Sequence, residues 1–126
     1  MKEKKLVEKL SKLNASNIVF KDNWISLDYD GRHLKDRVIK RRINLIGNWS
    51  RKNNVVYYDP DLKKEYVVPI LVHEVVEKYV TEKYGLNADK ESHEVADAVE
   101  REFVGEKNWR SHQQRMIKIL RCKNHK

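Results

Sequence analysis

The sequence predicts an α+β fold: a small N-terminal β-sheet with helices, then an antiparallel helix pair and a C-terminal helix. Short runs of β-branched and aromatic residues, bounded by turn residues, lie in the first half of the chain. In the second half, apolar residues recur at the spacing of amphipathic helices, and glycines follow two of these segments. The 126 residues fit one domain, spanning 1–126.

The first elements are a predicted helix and a predicted hairpin. Three leucines at helical spacing, with charged residues between them, predict a helix over residues 3–14. Ile18–Phe20 and Trp24–Tyr29 are β-rich and flank a short polar segment, which predicts two paired strands. Asp30-Gly31 is a turn signal that ends this hairpin.

The middle of the chain is partly ambiguous. Apolar residues near the start of residues 34–46 suit a helix, whereas Arg42–Ile46 alternate as in a strand. Val55–Tyr58 is a clearer β-rich run, and Asp59-Pro60 closes it. We therefore expect a strand at 55–58 and leave residues 34–46 open between the two structures.

Three helices are predicted in the second half. The first runs from about Pro69 to Tyr84, because proline suits the first helical turn and Gly85 suits the position after the last. The second runs from about residue 89 to 104 and stops before Gly105. The third, amphipathic, runs from about residue 108 to 121.

A histidine and a glutamate lie within the apolar stripe of the first of these helices. On a wheel of about 100° per residue, Glu77 lies about 40° from His73. The same arc holds apolar side chains: Ile70, Val76, Val80 and Tyr84. A carboxylate in an apolar stripe is costly unless something pairs with it, and a divalent cation is one such partner.

The next helix repeats this arrangement. His93, Asp97 and Glu100 border its apolar arc. The connection between the two helices is short, and short connections make neighbouring helices antiparallel. Such a pair brings His73 and Glu77 opposite His93 and Glu100, so these four residues are the predicted metal ligands.

Other interpretations of these residues stay open. A His–Glu pair four residues apart is usually an ordinary side-chain pair on a helix, and a buried histidine is often a hydrogen-bonded core residue. His112, in the last helix, is a weaker candidate for the same site. Cys122 is the single cysteine, so an internal disulfide and a thiolate zinc site are both excluded.

The stretches Val55–Leu62 and Ile70–Glu77 resemble zinc metallopeptidases of the zincin type, in which a short edge strand precedes a helix carrying His-Glu-x-x-His. The resemblance covers about residues 55–104 and implies a single zincin-like domain. It implies that the strand binds extended substrate, that Glu74 is the general base, and that zinc polarises the water and the carbonyl. Glu77 stands at the position of the second histidine, and His93 would be the third ligand, with Glu100 close by. Leu71–Glu100 also resembles small uncharacterised microbial and phage proteins, which implies no assigned activity.

The first functional hypothesis is therefore a zinc-dependent hydrolase acting on a peptide or small substrate, with a minimal metallopeptidase as its specific case. A second is a basic nucleic-acid-binding module in which the metal or polar helix-pair site is structural. A third is a two-metal site that also uses Asp97 and Glu100, where oxygen-rich ligands favour Mn or Fe over Zn.

The nucleic-acid hypothesis comes from the charge pattern. The net charge is +8, and an acidic middle lies between two basic flanks. The densest cationic run comprises Arg37, Lys40, Arg41 and Arg42. Such a run either keeps the protein soluble or binds a polyanion.

The sequence also bears on location. No apolar run approaches the roughly 20 residues that span a bilayer. The first twelve or so residues are charged and lack the apolar segment of a secretory signal. We expect a soluble, cytoplasmic protein without membrane contact.

Overall fold

The computed structural model describes residues 2–43, 45–50 and 53–124. Its elements, in chain order, are α1 Lys2–Ser11, β1 Ser16–Lys21, β2 Trp24–Tyr29, β3 Arg32–Lys40, β4 Gly47–Ser50, β5 Val55–Tyr58, α2 Lys64–Tyr84, α3 Glu91–Val104 and α4 Glu106–Asn124. The predicted α+β class, with a sheet in the first half and helices in the second, is confirmed.

The sheet has the strand order β1-β2-β3-β5-β4. β3 and β5 are parallel, and the other neighbours are antiparallel. Asp30 and Gly31 both have positive φ, at 55° and 68°, and Tyr29 pairs with Arg32. Two left-handed residues in succession suit the tight turn of a two-residue hairpin, so Asp30-Gly31 connects β2 to β3.

The ambiguous range 34–46 begins as a strand, because β3 extends to Lys40. Asp36 and Val38 are buried, whereas Lys35 and Arg37 are exposed, which is the period of two of a half-buried strand. Apolar residues four apart fit both a strand and a helix, and this explains why the sequence could not decide. The strand-like alternation over 42–46 is misleading, because the described residues of that range lie outside any strand.

The helix bounds differ most from prediction at the start of α2. α2 begins at Lys64, so the expectation that Pro69 opens it is wrong. Proline there lacks the N–H that would bond the carbonyl of Glu65, and its ring crowds that carbonyl. Burial of Val67 and Pro69 favours the added turn despite this cost. α1 and α3 are slightly shorter than expected, and α4 is longer. Gly85 has φ 68° and donates its N–H to Thr81, as predicted for a glycine that ends a helix.

One face of the sheet packs against α2 and contributes to the core. Buried apolar side chains from strands and helices form a single cluster, which includes Ile25, Leu27, Val56, Leu71, Val75, Val95 and Val99. The other face of the sheet exposes large side chains such as Val19 and Trp24. None of the described helices is long and apolar enough to cross a membrane.

The predicted antiparallel packing of α2 and α3 is visible in their side-chain contacts. His73 contacts Glu100, Glu77 contacts His93, and Thr81 hydrogen-bonds Ser92. As the residue number rises along α2, the number of its partner on α3 falls, so the two helices run in opposite directions.

Strand β4 approaches α2 very closely at Gly47. A Cβ atom built on Gly47 would lie 2.7 Å from Ile70 Cγ2 and 3.0 Å from Glu74 Cγ. Ile70 Cγ2 is attached to the branched Cβ and cannot easily move away. Gly47 therefore lets the backbone of β4 lie directly against the helix that carries His73.

We predict that Gly47→Ala destabilises the protein by about 1–3 kcal/mol, because the added methyl overpacks the contact between β4 and α2. Urea denaturation measures the change in the free energy of unfolding. Ser50→Ala, on the other side of the same strand, is the matched control and should change stability little. Equal stability of Gly47→Ala and wild type would show that the strand and helix separate without cost.

Candidate metal centre

The candidate centre lies where α2 and α3 face each other. His73 and Glu77 are one helical turn apart on α2, so both project toward the same region. Because α3 is antiparallel to α2, it presents His93, Asp97 and Glu100 to these two residues. His73 and Glu100 are buried, and His93 is half exposed at the edge.

Three donor groups converge on the Nε2 side of His73. His73 Nε2 lies 3.1 Å from Glu77 Oε2, and His93 Nδ1 lies 3.1 Å from that same oxygen. One ligand atom from each of these residues lies within 4.8 Å of the other two. Trp49 Nε1, from β4, donates a 2.9 Å hydrogen bond to Glu77 Oε1 and so holds the carboxylate with its second oxygen toward the two histidines.

The Nδ1 side of His73 faces carboxylates of α3. His73 Nδ1 donates a 2.8 Å hydrogen bond to Glu100 Oε1, and Asp97 Oδ1 lies 3.3 Å away. Glu100 Oε2 in turn accepts a hydrogen bond from His112 Nε2 on α4. His73, Asp97 and Glu100 also have donor atoms within 4.8 Å of one another, and they form a second, more oxygen-rich group.

Hydrogen bonds within this centre shift the pKa values of His73 and Glu77 in opposite directions. Burial disfavours the imidazolium of His73, but hydrogen bonds to Glu100 and Glu77 outweigh it and raise the pKa of His73 well above its usual value. Burial also opposes ionisation of Glu77, yet hydrogen bonds from His73, His93 and Trp49 lower its pKa to about 2. At neutral pH these shifts favour an ionised Glu77 and a protonated His73.

Hydrogen bonds also shift the pKa values of the two neighbouring residues, His93 and Glu100. The pKa of His93 is raised, chiefly by its hydrogen bond to Glu77. Burial opposes ionisation of Glu100, but hydrogen bonds from His112 and His73 lower its pKa. Carboxylates and imidazoles thus neutralise each other across the helix interface.

Glu74 differs from the other carboxyl groups of the centre. It is buried beneath Gly47, and burial raises its pKa to about 8. Its Oε2 lies 3.9 Å from His73 Nε2, on the side where Glu77 and His93 converge. No described residue donates a hydrogen bond to Glu74, so its carboxyl group is available to interact with a molecule in the cavity.

A cavity of about 520 Å³ opens beside these groups. Its polar wall includes His73, Glu74 and Glu77 of α2 and residues of α3. Its other wall is mainly apolar and comes from α4 and the chain around β4; this wall includes Leu45, Ile46, Trp109, Met116, Ile117 and Leu120. A bound molecule could therefore place a polar group at the histidines and an apolar group against α4.

The structure brings together all four residues predicted as ligands: His73, Glu77, His93 and Glu100. Asp97 joins them. Glu100 lies on the Nδ1 side of His73, away from the oxygen of Glu77 that both histidines contact. The helical wheel shows that these residues share a face, but not which ring nitrogen each carboxylate meets.

Two further residues of the centre received little or no weight from the sequence. His112 is buried against Glu100, and its ring lies between those of Tyr66 and Trp109, with centroids 5.7 Å from each. The sequence feature that indicates His112 is its spacing of four residues from Met116, which places both side chains on the same face of α4. Trp49 gave no sequence signal, because its contact with Glu77 depends on how β4 packs.

One other expectation is wrong. Val55–Tyr58, expected as the edge strand, is an interior strand between β3 and β4, and the strand at this end of the described sheet is Gly47–Ser50. The expectation took the strand just before the helix as the edge strand, but β4 precedes β5 along the chain and pairs with its outer side.

The predicted cationic run divides between two environments. Arg37 lies on the face of β3 opposite the core, and the guanidinium of Arg41 lies over the ring of Tyr57. Lys40 is exposed at the end of β3, and Arg42 forms an exposed ion pair with Asp61 at 3.3 Å. Only part of the run therefore belongs to one surface.

Comparisons of this chain with protein-family models, with curated proteins and with solved structures find no match. The resemblance to zincins therefore stays a prediction that rests on the residues quoted for it.

Protonation of the centre makes the stability of the metal-free protein depend on pH. His73 has a raised pKa, so it stabilises the fold below its usual value of 6.5 and loses that effect as pH rises. Ionisation of Glu74, which its burial opposes, costs stability as pH rises from the usual 4.5 to about 8. Glu77 acts in the opposite range, and its contribution is lost as pH falls from 4.5 to about 2.

We predict that chelator-treated protein is most stable near pH 5–6 and that its melting temperature falls between pH 6 and pH 8. Glu74→Gln removes one of these causes, so its melting temperature should exceed that of wild type increasingly as pH rises. Thermal melts in matched buffers measure this difference. A constant difference across the range would mean that Glu74 does not change its charge there.

Proposed function

We propose that this protein is a metal-dependent hydrolase that holds one divalent ion, zinc, through His73, Glu77 and His93. The observation that carries the proposal is the convergence of these three donors, with Glu77 Oε2 3.1 Å from a nitrogen of each histidine, beside a cavity that Glu74 also lines. Two imidazoles and one carboxylate are a ligand set typical of hydrolytic zinc sites, which leave the fourth position open.

The spacing of the donors supports a metal ion. Two ligands about 2.1 Å from one ion at the tetrahedral angle are about 3.4 Å apart. Glu77 Oε2 lies 3.1 Å from each of the two histidine nitrogens, so a small adjustment would accommodate an ion. The ion would replace the protons that those nitrogens now direct at the carboxylate.

The surrounding residues have orienting roles that suit such a site. Metal-binding histidines usually donate their other ring N–H to a carboxylate, and His73 does this to Glu100. His112 and the other oxygen of Glu100 extend this chain to α4. Trp49 fixes Glu77 in the same way.

One ion fits the centre better than two. The second donor group, with Asp97 and Glu100, uses Nδ1 of the same His73 imidazole. Binding ions on both sides would require that ring to lose both of its protons. If the ion is instead bound on the Nδ1 side, the oxygen-rich ligands favour Mn or Fe.

A divalent ion in this site would polarise a carbonyl and activate a water molecule. Glu74 is the residue placed to accept the proton of the attacking water, because it lies beside the converging donors and no described residue occupies its carboxyl group by hydrogen bonding. A nearby cation would lower the raised pKa of Glu74 and make it a base at neutral pH.

A peptide is the substrate class that the surroundings favour. β4 lies at the end of the described sheet, and its Gly47 and Asn48 line the cavity. An extended backbone could pair with such a strand, while the apolar wall from α4 receives a side chain. Both β4 and this apolar wall border the cavity that Glu74 also lines.

We predict that protein purified without chelator contains about one equivalent of divalent metal, most of it zinc. His73→Ala and His93→Ala should each lower occupancy and the melting temperature, because each removes one of three ligands. Elemental analysis and thermal melts measure both effects.

His33→Ala is the matched control, since His33 is an exposed histidine of the sheet. It should leave metal content unchanged. No metal in wild type, and no uptake after dialysis against zinc, would contradict the metal site. Glu100→Gln distinguishes the two sides of His73: a ligand role predicts loss of the ion, whereas an orienting role predicts weaker binding.

We predict that Glu74→Gln keeps the metal and the fold but lowers turnover by at least about a hundredfold, because the proton acceptor is lost while the shape is kept. Labelled casein and mixtures of quenched fluorogenic peptides are suitable substrates. Glu94→Gln, at an exposed position of α3, should retain wild-type activity. Equal turnover of Glu74→Gln and wild type would remove Glu74 from the mechanism.

A further inference from the structure

The face of the sheet that points away from the helices carries a group of cationic and aromatic side chains. We call it the open sheet face and define it by Lys21, Trp24, Lys35, Arg37, Arg41 and Tyr57. Strand alternation places these side chains opposite the buried ones: Ile25 and Leu27 of β2, and Asp36 and Val38 of β3.

Trp24 is the centre of this surface. Its side chain is 47% exposed, which is unusual for so large an apolar group on a strand. Lys35 Nζ lies 5.0 Å from the centroid of the Trp24 ring, and Arg37 is the direct cross-strand partner of Trp24. An exposed aromatic ring therefore lies beside two cations of the neighbouring strand.

A second cation–aromatic pair joins Arg41, just past the end of β3, to Tyr57 of β5. The guanidinium of Arg41 lies 5.5 Å from the centroid of the Tyr57 ring. Arg37 and Arg41 are four residues apart, which on a strand is about 13 Å. The two pairs thus form a row that could contact more than one nucleotide.

A cleft of about 570 Å³ adjoins Trp24. Its walls are cationic, amide and aromatic; the residues are Asn23, Trp24, Lys35, Arg37, Asn53 and Asn54. Lysine and arginine bind phosphate, and asparagine side chains can both donate to and accept from base edges.

Negative charge is scarce on this surface. Within the described strands, Asp28 is the one carboxylate that alternation places on the open sheet face. It lies at the far end of β2 from Trp24, and it accepts hydrogen bonds from Asn17 and His33. Asp36 of β3 is on the core face, where it pairs with Lys78. The strand residues around Trp24 on this face are therefore cationic, and the nearest carboxylate along the chain is Asp22 in the exposed turn between β1 and β2.

We propose that the open sheet face binds single-stranded nucleic acid, with unpaired bases stacking on Trp24 and Tyr57 and phosphates contacting Lys35, Arg37 and Arg41. Exposed aromatic rings beside cations on a sheet surface are how many proteins hold unpaired strands. A duplex hides its bases from such rings. A membrane surface offers negative charge but nothing for them to stack on.

This proposal is independent of the hydrolase. The metal centre lies between α2 and α3, on the side of the sheet where the core is, whereas Trp24 faces the other side. Removal of the metal should leave nucleic-acid binding unchanged. The two proposals can therefore fail separately.

The test measures fluorescence anisotropy of a labelled oligothymidylate of about a dozen nucleotides, titrated with the full chain at low and moderate salt. Wild type should bind at micromolar concentration at low salt and weaken as salt rises. Trp24→Ala should weaken binding about tenfold, and Trp24→Phe should restore most of it, because a ring stays available for stacking.

The charge contribution is tested by Arg37→Ala/Arg41→Ala. Losing two phosphate contacts to a single strand should flatten the slope of log affinity against log salt by about 1.4. Arg110→Ala/Arg115→Ala removes the same charge from exposed positions of α4 and should retain more of the affinity and more of the slope. Circular dichroism and thermal melts confirm that each variant is folded.

Three results would overturn the proposal. The first is no binding by wild type at low salt. The second is equal binding by Trp24→Ala and wild type, with duplex DNA or vesicles of anionic phospholipid bound as tightly as the oligothymidylate. The third is equal loss of affinity in the α4 control, which would mean that net charge alone attracts the strand.

Discussion

The structure depends on the need to pair the ionisable groups buried between α2 and α3. His73 lies between Glu77 on one side and Glu100 on the other, and it contacts both. An unpaired charge in that position would be strongly destabilising, so the two helices must keep the register that pairs them. The contacts of the neighbouring elements follow from this register.

The same pairing fixes the elements around the helix pair. His112 extends the hydrogen-bonded chain to α4, and Trp49 extends it to β4. Gly47 allows β4 to lie close enough to α2 for the Trp49 contact. Several carboxyl groups still share a small volume with few imidazoles, so a bound cation would relieve their mutual repulsion. This concentration of carboxyl groups is what the proposed ion would balance.

The two faces of the sheet carry different groups of functional side chains. The core face supports α2 and the cavity with Glu74, whereas the outer face carries Trp24 and its cations. Strand alternation produces this division, because neighbouring residues such as Asp36 and Arg37 point to opposite sides. A chain of this size can thus present a polar cavity on one side of the sheet and a charged surface on the other.

The sequence by itself determined the α+β class, the helix pair and the shared face of His73, Glu77, His93 and Glu100, because helical periodicity and short connections are local properties. It could not determine the partner of each ring nitrogen, the contact of Trp49 with Glu77, or the position of His112 against Glu100. It also misplaced the edge strand, since strand order depends on pairing between distant segments. These features arise only when separate elements pack, and tertiary contacts, unlike periodicity, leave no regular pattern along the chain.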